Sequence, residues 1–187
     1  MVLNTVHIKS GNDWRTIDCI QNVKNNLITY FIDTTGSSTT WQYNNDVLYN
    51  ISSTSIPNSL TTFIEESIES LDQILDINFQ RVYNSTDATL KIIHTDMAEI
   101  PGMGTNSGAA SQTYPNEYYD YNLDKWRAND VSLEVIIKDD WFYTSQGIYN
   151  YFQEHLVLHE IGHVLTLEHP FEDADGDVYG TMHGKNA

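Results

Sequence analysis

"HEIGHVLTLEHP", residues 159–170, carries three histidines and two glutamates near the end of a 187-residue chain. On an α-helix, residues four apart project from nearly the same side, so His159 and His163 can offer two imidazole nitrogens to one metal ion. Glu160, one position on, is rotated by about 100° and borders that metal without ligating it. This is the H-E-x-x-H arrangement, two zinc ligands with a glutamate placed as general base. His169 follows His163 by six residues, too far to share the face of a continuing helix. It becomes a third ligand if the helix ends and the chain turns back, and Pro170 agrees with an ending there. Hydrogen-bonded core histidines are the ordinary alternative, and the spacing of these three argues against it. His155 is one turn further back and reads as structural, as do His7, His94 and His183, which have no partner spacing. No Cys, Ser or Lys constellation competes for nucleophilic chemistry.

Working outward from the motif, its helix is expected to begin near residue 145. Before it, "VSLEVIIK" (131–138) alternates cleanly, with Val131, Leu133, Val135 and Ile137 on one face of a strand. The Gly-rich "PGMGTNSGAA" (101–110) leads into "SQTYP" (111–115), expected to be an edge strand. "ATLKIIH" (88–94) and "NLITYFI" (26–32) are rich in β-branched and aromatic residues and read as strands. "IPNSLTTFIEESIESLDQIL" (56–75) has helical periodicity, with Leu60, Ile64, Ile68, Leu71 and Leu75 on one stripe. Asn58 or Ser59 is its candidate N-cap, and the early glutamates suit the positive end of the helix dipole. Residues 33–58, heavy in Ser, Thr and Asn, read as loop. The order of elements predicts a single α+β domain over 1–187, a twisted mixed sheet with a backing helix and a helix that carries the histidines.

Composition narrows the function. Nine Lys and Arg stand against 26 Asp and Glu, a net charge of −17 with an isoelectric point near 4.4. A nucleic-acid partner is therefore not expected, because there is no basic surface to release counterions. An anionic membrane is excluded for the same reason, and no apolar run approaches the ~18 residues of a membrane span. Hydrophobic residues at 40% supply a genuine core. Cys19 is the single cysteine, so no internal disulfide can form. The opening "MVLNTVHIKSGND" lacks a charged start followed by an apolar stretch and does not read as a secretory signal.

The motif resembles the H-E-x-x-H-x-x-G-x-x-H signature of metzincin zinc endopeptidases. "LHEIGH" and "LEHP" are closest in wording to the serralysin catalytic domain, with the matrixins second. The order of elements from about residue 26 onward is similar as well. The resemblance implies a zinc-dependent endopeptidase in which His159, His163 and His169 hold Zn2+ and Glu160 is the catalytic base. Zinc would lower the pKa of its water to about 7 and polarise the scissile carbonyl, so no covalent intermediate is needed. It also implies a protein or peptide substrate bound as an extended strand along residues around 109–114 and a secreted location; the sequence does not set the oligomeric state, and a monomer is expected. The alternative is a zinc-binding domain without turnover, serving as a binding module or left as a truncated remnant.

The chain departs from the family pattern in three places. Thr166 stands where the signature has glycine, the residue that permits a left-handed backbone where the helix breaks. The threonine either accepts that conformation, at about 1–2 kcal/mol, or stays helical while Leu167 and Glu168 make the bend. The family's methionine turn has one candidate after the motif, Met182 in "VYGTMHG", but Gly184 stands where serralysins carry a tyrosine. The chain ends five residues after Met182, where the family continues into a terminal helix. Either Met182 is that turn or the chain is truncated before it. "DADGDV" (173–178) sets Asp173, Asp175 and Asp177 at the 1, 3 and 5 spacing of a calcium loop, without its glycine at position 6 or its terminal glutamate. Ca2+ is a second candidate metal there, against a solvated acidic turn. Cys19, in "TIDCIQN", does not match the matrixin latency motif and reads as a buried structural thiol.

Overall fold

A computed structural model of the chain describes residues 14–36, 38–43, 47–97, 100, 107–138 and 149–167. Its centre is a five-stranded mixed sheet. Strand β1 (Leu27–Ile32) is followed by the hairpin strands β2 (Ser38–Tyr43) and β3 (Val47–Ser52), then by β4 (Asn78–Arg81) and β5 (Leu90–Thr95). Strand β6 (Ser107–Thr113), the hairpin strands β7 (Glu117–Asp120) and β8 (Lys125–Ala128), and β9 (Ser132–Lys138) complete the set. The main sheet runs β4-β1-β5-β9-β6. Its first four strands are parallel, and β6 closes one edge antiparallel to β9, with Gly108 opposite Ile137 and Gln112 opposite Leu133.

Three α-helices accompany the sheet among the described residues: α1 (Trp14–Asn22), α2 (Asn58–Ile74) and α3 (Tyr149–Val164). This mixed sheet with helices against it is compatible with the expected α+β class. Alternation assigns the faces. Ile28, Tyr30, Ile32, Leu90, Ile92, Leu133, Val135 and Ile137 share one core cluster with Cys19 and Ile20 of α1, Leu60, Ile64 and Ile68 of α2, and Val157, Ile161 and Val164 of α3. Ile136 points the other way, into a smaller cluster with Ile51 of β3 and Ile100. No helix among the described residues is long and apolar enough to cross a membrane.

Several expectations need correction. Residues 33–58, read as loop, contain the β2–β3 hairpin, in which Trp41 pairs with Tyr49. Thr, Trp, Tyr, Val and Ile suit a pleated surface, and the Ser and Asn between them hid that signal. The helix α1, the outer strand β4 and the β7–β8 hairpin were not anticipated. Each is short, and α1 shows its core contacts (Thr16, Cys19 and Ile20) only once it is packed. The edge strand begins at Ser107, four residues before "SQTYP". The N-cap of α2 is Pro57, with no side-chain capping bond and no acidic residue in the first turn, so neither Asn58 nor Ser59 caps it. Proline suits this end, because it has no N–H to leave unsatisfied.

Candidate metal centre

Helix α3 carries the motif because two of its faces are committed differently. Val157, Ile161 and Val164, spaced four and three apart, are almost wholly buried against the sheet. That fixes the rotation of the helix about its axis. His159 is thereby left exposed and His163 half-buried, while Glu160 is turned inward at 6% exposure.

The two histidine rings meet edge to face, with centroids 4.5 Å apart, and their Nε2 atoms are 3.0 Å apart. Nδ1 of His163 lies 2.8 Å from the carbonyl oxygen of Leu167. A carbonyl only accepts, so Nδ1 carries the hydrogen and, in the neutral ring, Nε2 presents a lone pair toward His159. Two nitrogens at ~2.0–2.1 Å from one tetrahedral zinc stand about 3.3 Å apart. The pair therefore fits a shared zinc with a shift of a few tenths of an ångström. Donation of the other ring N–H to a backbone carbonyl is how metal-bound histidines are commonly oriented.

The chain reversal is built around Thr166, whose φ is 72°, in the left-handed region. Thr166 N–H donates to the carbonyl of His163 at 2.9 Å, and Leu167 N–H to that of Gly162 at 2.9 Å. This pair of bonds is the Schellman ending of a helix, with threonine in the position usually held by glycine. The Leu167 side chain lies over Gly162, in the place where an apolar contact frequently accompanies this ending. Of the two conformations open to Thr166 from sequence, the structure adopts the left-handed one. Thr166 is buried, while Leu167 beside it stays exposed.

A residue that the sequence reading missed completes this end. Gln112, on edge strand β6, donates through Nε2 to the carbonyls of both His163 and Val164, each at 3.1 Å. Its Oε1 accepts from Tyr114 Oη at 2.9 Å, which in turn pairs with Thr16 of α1 at 2.9 Å. The terminal carbonyls of a helix need partners, and a glutamine on a facing strand supplies them. Nothing in the local pattern around Gln112 signals this role, because it depends on a helix some fifty residues later.

The remaining sites divide by location. His169, Asp173, Asp175, Asp177 and Met182 lie outside the described residues, as do His7 and His183. Among the described residues no group of three His, Cys, Asp or Glu forms a metal site. His94 is buried, with Nδ1 2.5 Å from the hydroxyl of Thr54, as a structural histidine should be. His155, also read as structural, is instead exposed, its ring stacked 6.4 Å from that of His159. Cys19 is fully buried in α1, and burial pushes its thiol above the usual value while nearby Lys24 pulls it down. That is the inert thiol expected. A groove of about 480 Å³, lined by Lys24, Thr29, Lys91 and Asp130 among others, opens at the starts of β1, β5 and β9 and shares no residue with the histidine pair.

No family model matches the chain, and no curated protein matches it. Ten chains of solved structures do. One, described as the GM1 bound form of the ECX AB5 holotoxin, is similar at 14% identity over 80% of this chain and 55% of that one, with a TM-score of 0.36. A likeness at that score says nothing of what this chain does, and the match spans about half of the other chain's length.

Proposed function

We propose that this protein is a zinc-dependent endopeptidase of the metzincin type. The observation that carries the reading is the paired Nε2 atoms of His159 and His163, 3.0 Å apart, with the His163 ring oriented by the Leu167 carbonyl. His159 and His163 would hold the metal. His169, two residues past the turn at Thr166 and Leu167, would add the third nitrogen. When bound, zinc supplies a Lewis acid that polarises a carbonyl and acidifies water.

The chain's own groups supply the rest. Glu160 is buried, one residue after His159 on the same helix, and its carboxylate would take a proton from water and pass it to the leaving amine. Among the described residues, strand β6 stands at the sheet edge with β9 as its one neighbour. Its other side can take an extended peptide by strand addition, with backbone hydrogen bonds supplying affinity. Gly108 and Gln112 of that strand touch α3 at Glu160 and at the carbonyls of His163 and Val164. A peptide on β6 would thus lie alongside the base.

The test is cleavage of an unstructured protein such as casein by zinc-loaded protein, with and without a chelator, beside Glu160→Gln. The amide keeps the shape but cannot accept a proton. The variant should retain about one zinc per chain and its fold while losing roughly 10²–10⁴-fold in rate. A wild-type rate in Glu160→Gln would remove Glu160 from the chemistry. An inactive, zinc-loaded wild type would favour a binding module instead.

A further inference from the structure

Strand β6 presents Gly108, Ala110 and Gln112 to the helix side of the sheet, since Ala110 joins the helix-side core and Ala109 the opposite cluster. At Gly108 the strand is bare. A Cβ built there would lie 2.4 Å from Cγ of Glu160, 2.5 Å from its Oε1 and 2.7 Å from its Cδ. These are the three nearest atoms, and real Cβ contacts essentially never come so close. The space a side chain would fill is taken by the Glu160 side chain.

We infer that Gly108 is a positioning residue for Glu160: the edge strand leaves out a side chain so that the carboxylate can lie against its backbone. The inference rests on the proposed peptidase reading and deepens it, because it ties the aim of the base to the strand offered to substrate. Gly108 is fixed in register opposite Ile137. Gln112, four residues along the same face, holds the carbonyls of His163 and Val164. One strand therefore sets the position of the base and of the helix end after the second histidine. A side chain at 108 must displace Glu160, because the backbone on both sides is held by these contacts. The strand itself gives no reason for glycine, since the φ of Gly108 lies outside the left-handed region.

Two measurements on zinc-loaded, full-length protein test this. The first is steady-state peptide cleavage by Gly108→Ala with metal content measured alongside. Misplacing a catalytic group by ~1 Å costs on the order of 10²-fold. The variant should lose about that factor in kcat, keep KM within about twofold and retain its zinc. The second is thermal unfolding of Gly108→Ala, Glu160→Ala and the double variant. Truncating Glu160 removes every atom that the new Cβ meets. Gly108→Ala should therefore lower the midpoint in the Glu160 background and leave it unchanged or raised in the Glu160→Ala background. Full kcat in Gly108→Ala, or an equal drop in both backgrounds, overturns the inference. A wild-type protein that cleaves nothing would sink the peptidase reading alone, and the unfolding cycle would still decide whether Gly108 seats Glu160.

Discussion

Helices α2 and α3 are close in length, 17 and 16 residues, and each buries one apolar stripe in the same core. They end in opposite ways. Helix α2 stops at Leu75 in an extended conformation, with φ −94° and ψ 149°, its N–H bonded to the Leu71 carbonyl. Helix α3 stops by forcing Thr166 into the left-handed region and covering the turn with Leu167 and Gln112. The first ending releases the chain toward β4, with Asp72 of its last turn accepting from the N–H of Phe79 at 2.8 Å. The second brings the Leu167 carbonyl to His163, and in so doing orients that ring. Backbone strain persists where surrounding contacts over-determine it, and such places cluster at functional sites. The difference between the two endings is thus a physical reason, independent of any motif, to look for chemistry at the end of α3.

The largest effects should be those the helices share. Ile64 and Ile161 are each buried to within 1% in the common core. Ile64→Ala and Ile161→Ala should each cost about 2–5 kcal/mol in urea unfolding. A much smaller loss for Ile161→Ala would mean that packing does not hold α3, and its ending could not be compared with that of α2.

The next effect separates the two. Gln112→Ala removes the side-chain donor from the carbonyls of His163 and Val164 and leaves the Tyr114 hydroxyl with Thr16 in place of two partners. It should cost about 1–3 kcal/mol and weaken zinc retention. Gln73→Ala, an exposed substitution in the last turn of α2, should stay within about 0.5 kcal/mol. Equal effects from the two would remove any special support at the end of α3.

The smallest effect has the opposite sign. Thr166→Gly relieves a left-handed β-branched residue and should stabilise the protein by about 1 kcal/mol, read as a rise in unfolding midpoint with activity kept or raised. Glycine at Leu75, where the backbone is extended, has no strain to relieve and should destabilise slightly. Destabilisation by Thr166→Gly would show that the threonine side chain, buried at 2% exposure, contributes more through its contacts than it loses in backbone energy.

What could be read from sequence follows the reach of each signal. The β5 and β9 strands and the stripe of Leu60, Ile64 and Ile68 announce themselves through local periodicity, and their burial agrees. The approach of His159 to His163 follows from helical geometry alone. The position of Thr166 was legible as a choice between two conformations, and only the packed turn selects one. Gln112, Gly108 and helix α1 were illegible, because their roles arise from partners far away in the chain: Gln112 meets α3 about fifty residues later, and Gly108 meets Glu160 across a sheet edge. The β2–β3 hairpin was hidden by composition, since its Ser and Asn read as loop although Trp41 and Tyr49 pair across it.

The strand order carries a consequence for assembly. β6 pairs with β9 and with no other described strand, yet β6 precedes β9 in the chain. A growing chain can therefore join β1, β4 and β5 while β6 waits with both edges open until β9 has emerged. An unpaired strand invites association with other chains. "SGAASQT" is poorly suited to that hazard, being small and polar with a single β-branched residue, Thr113, at its end. The seat for Glu160 closes once β9 has docked against β5 and received β6. Until β9 is in place, β6 has no described partner to hold Gly108 and Gln112 against α3.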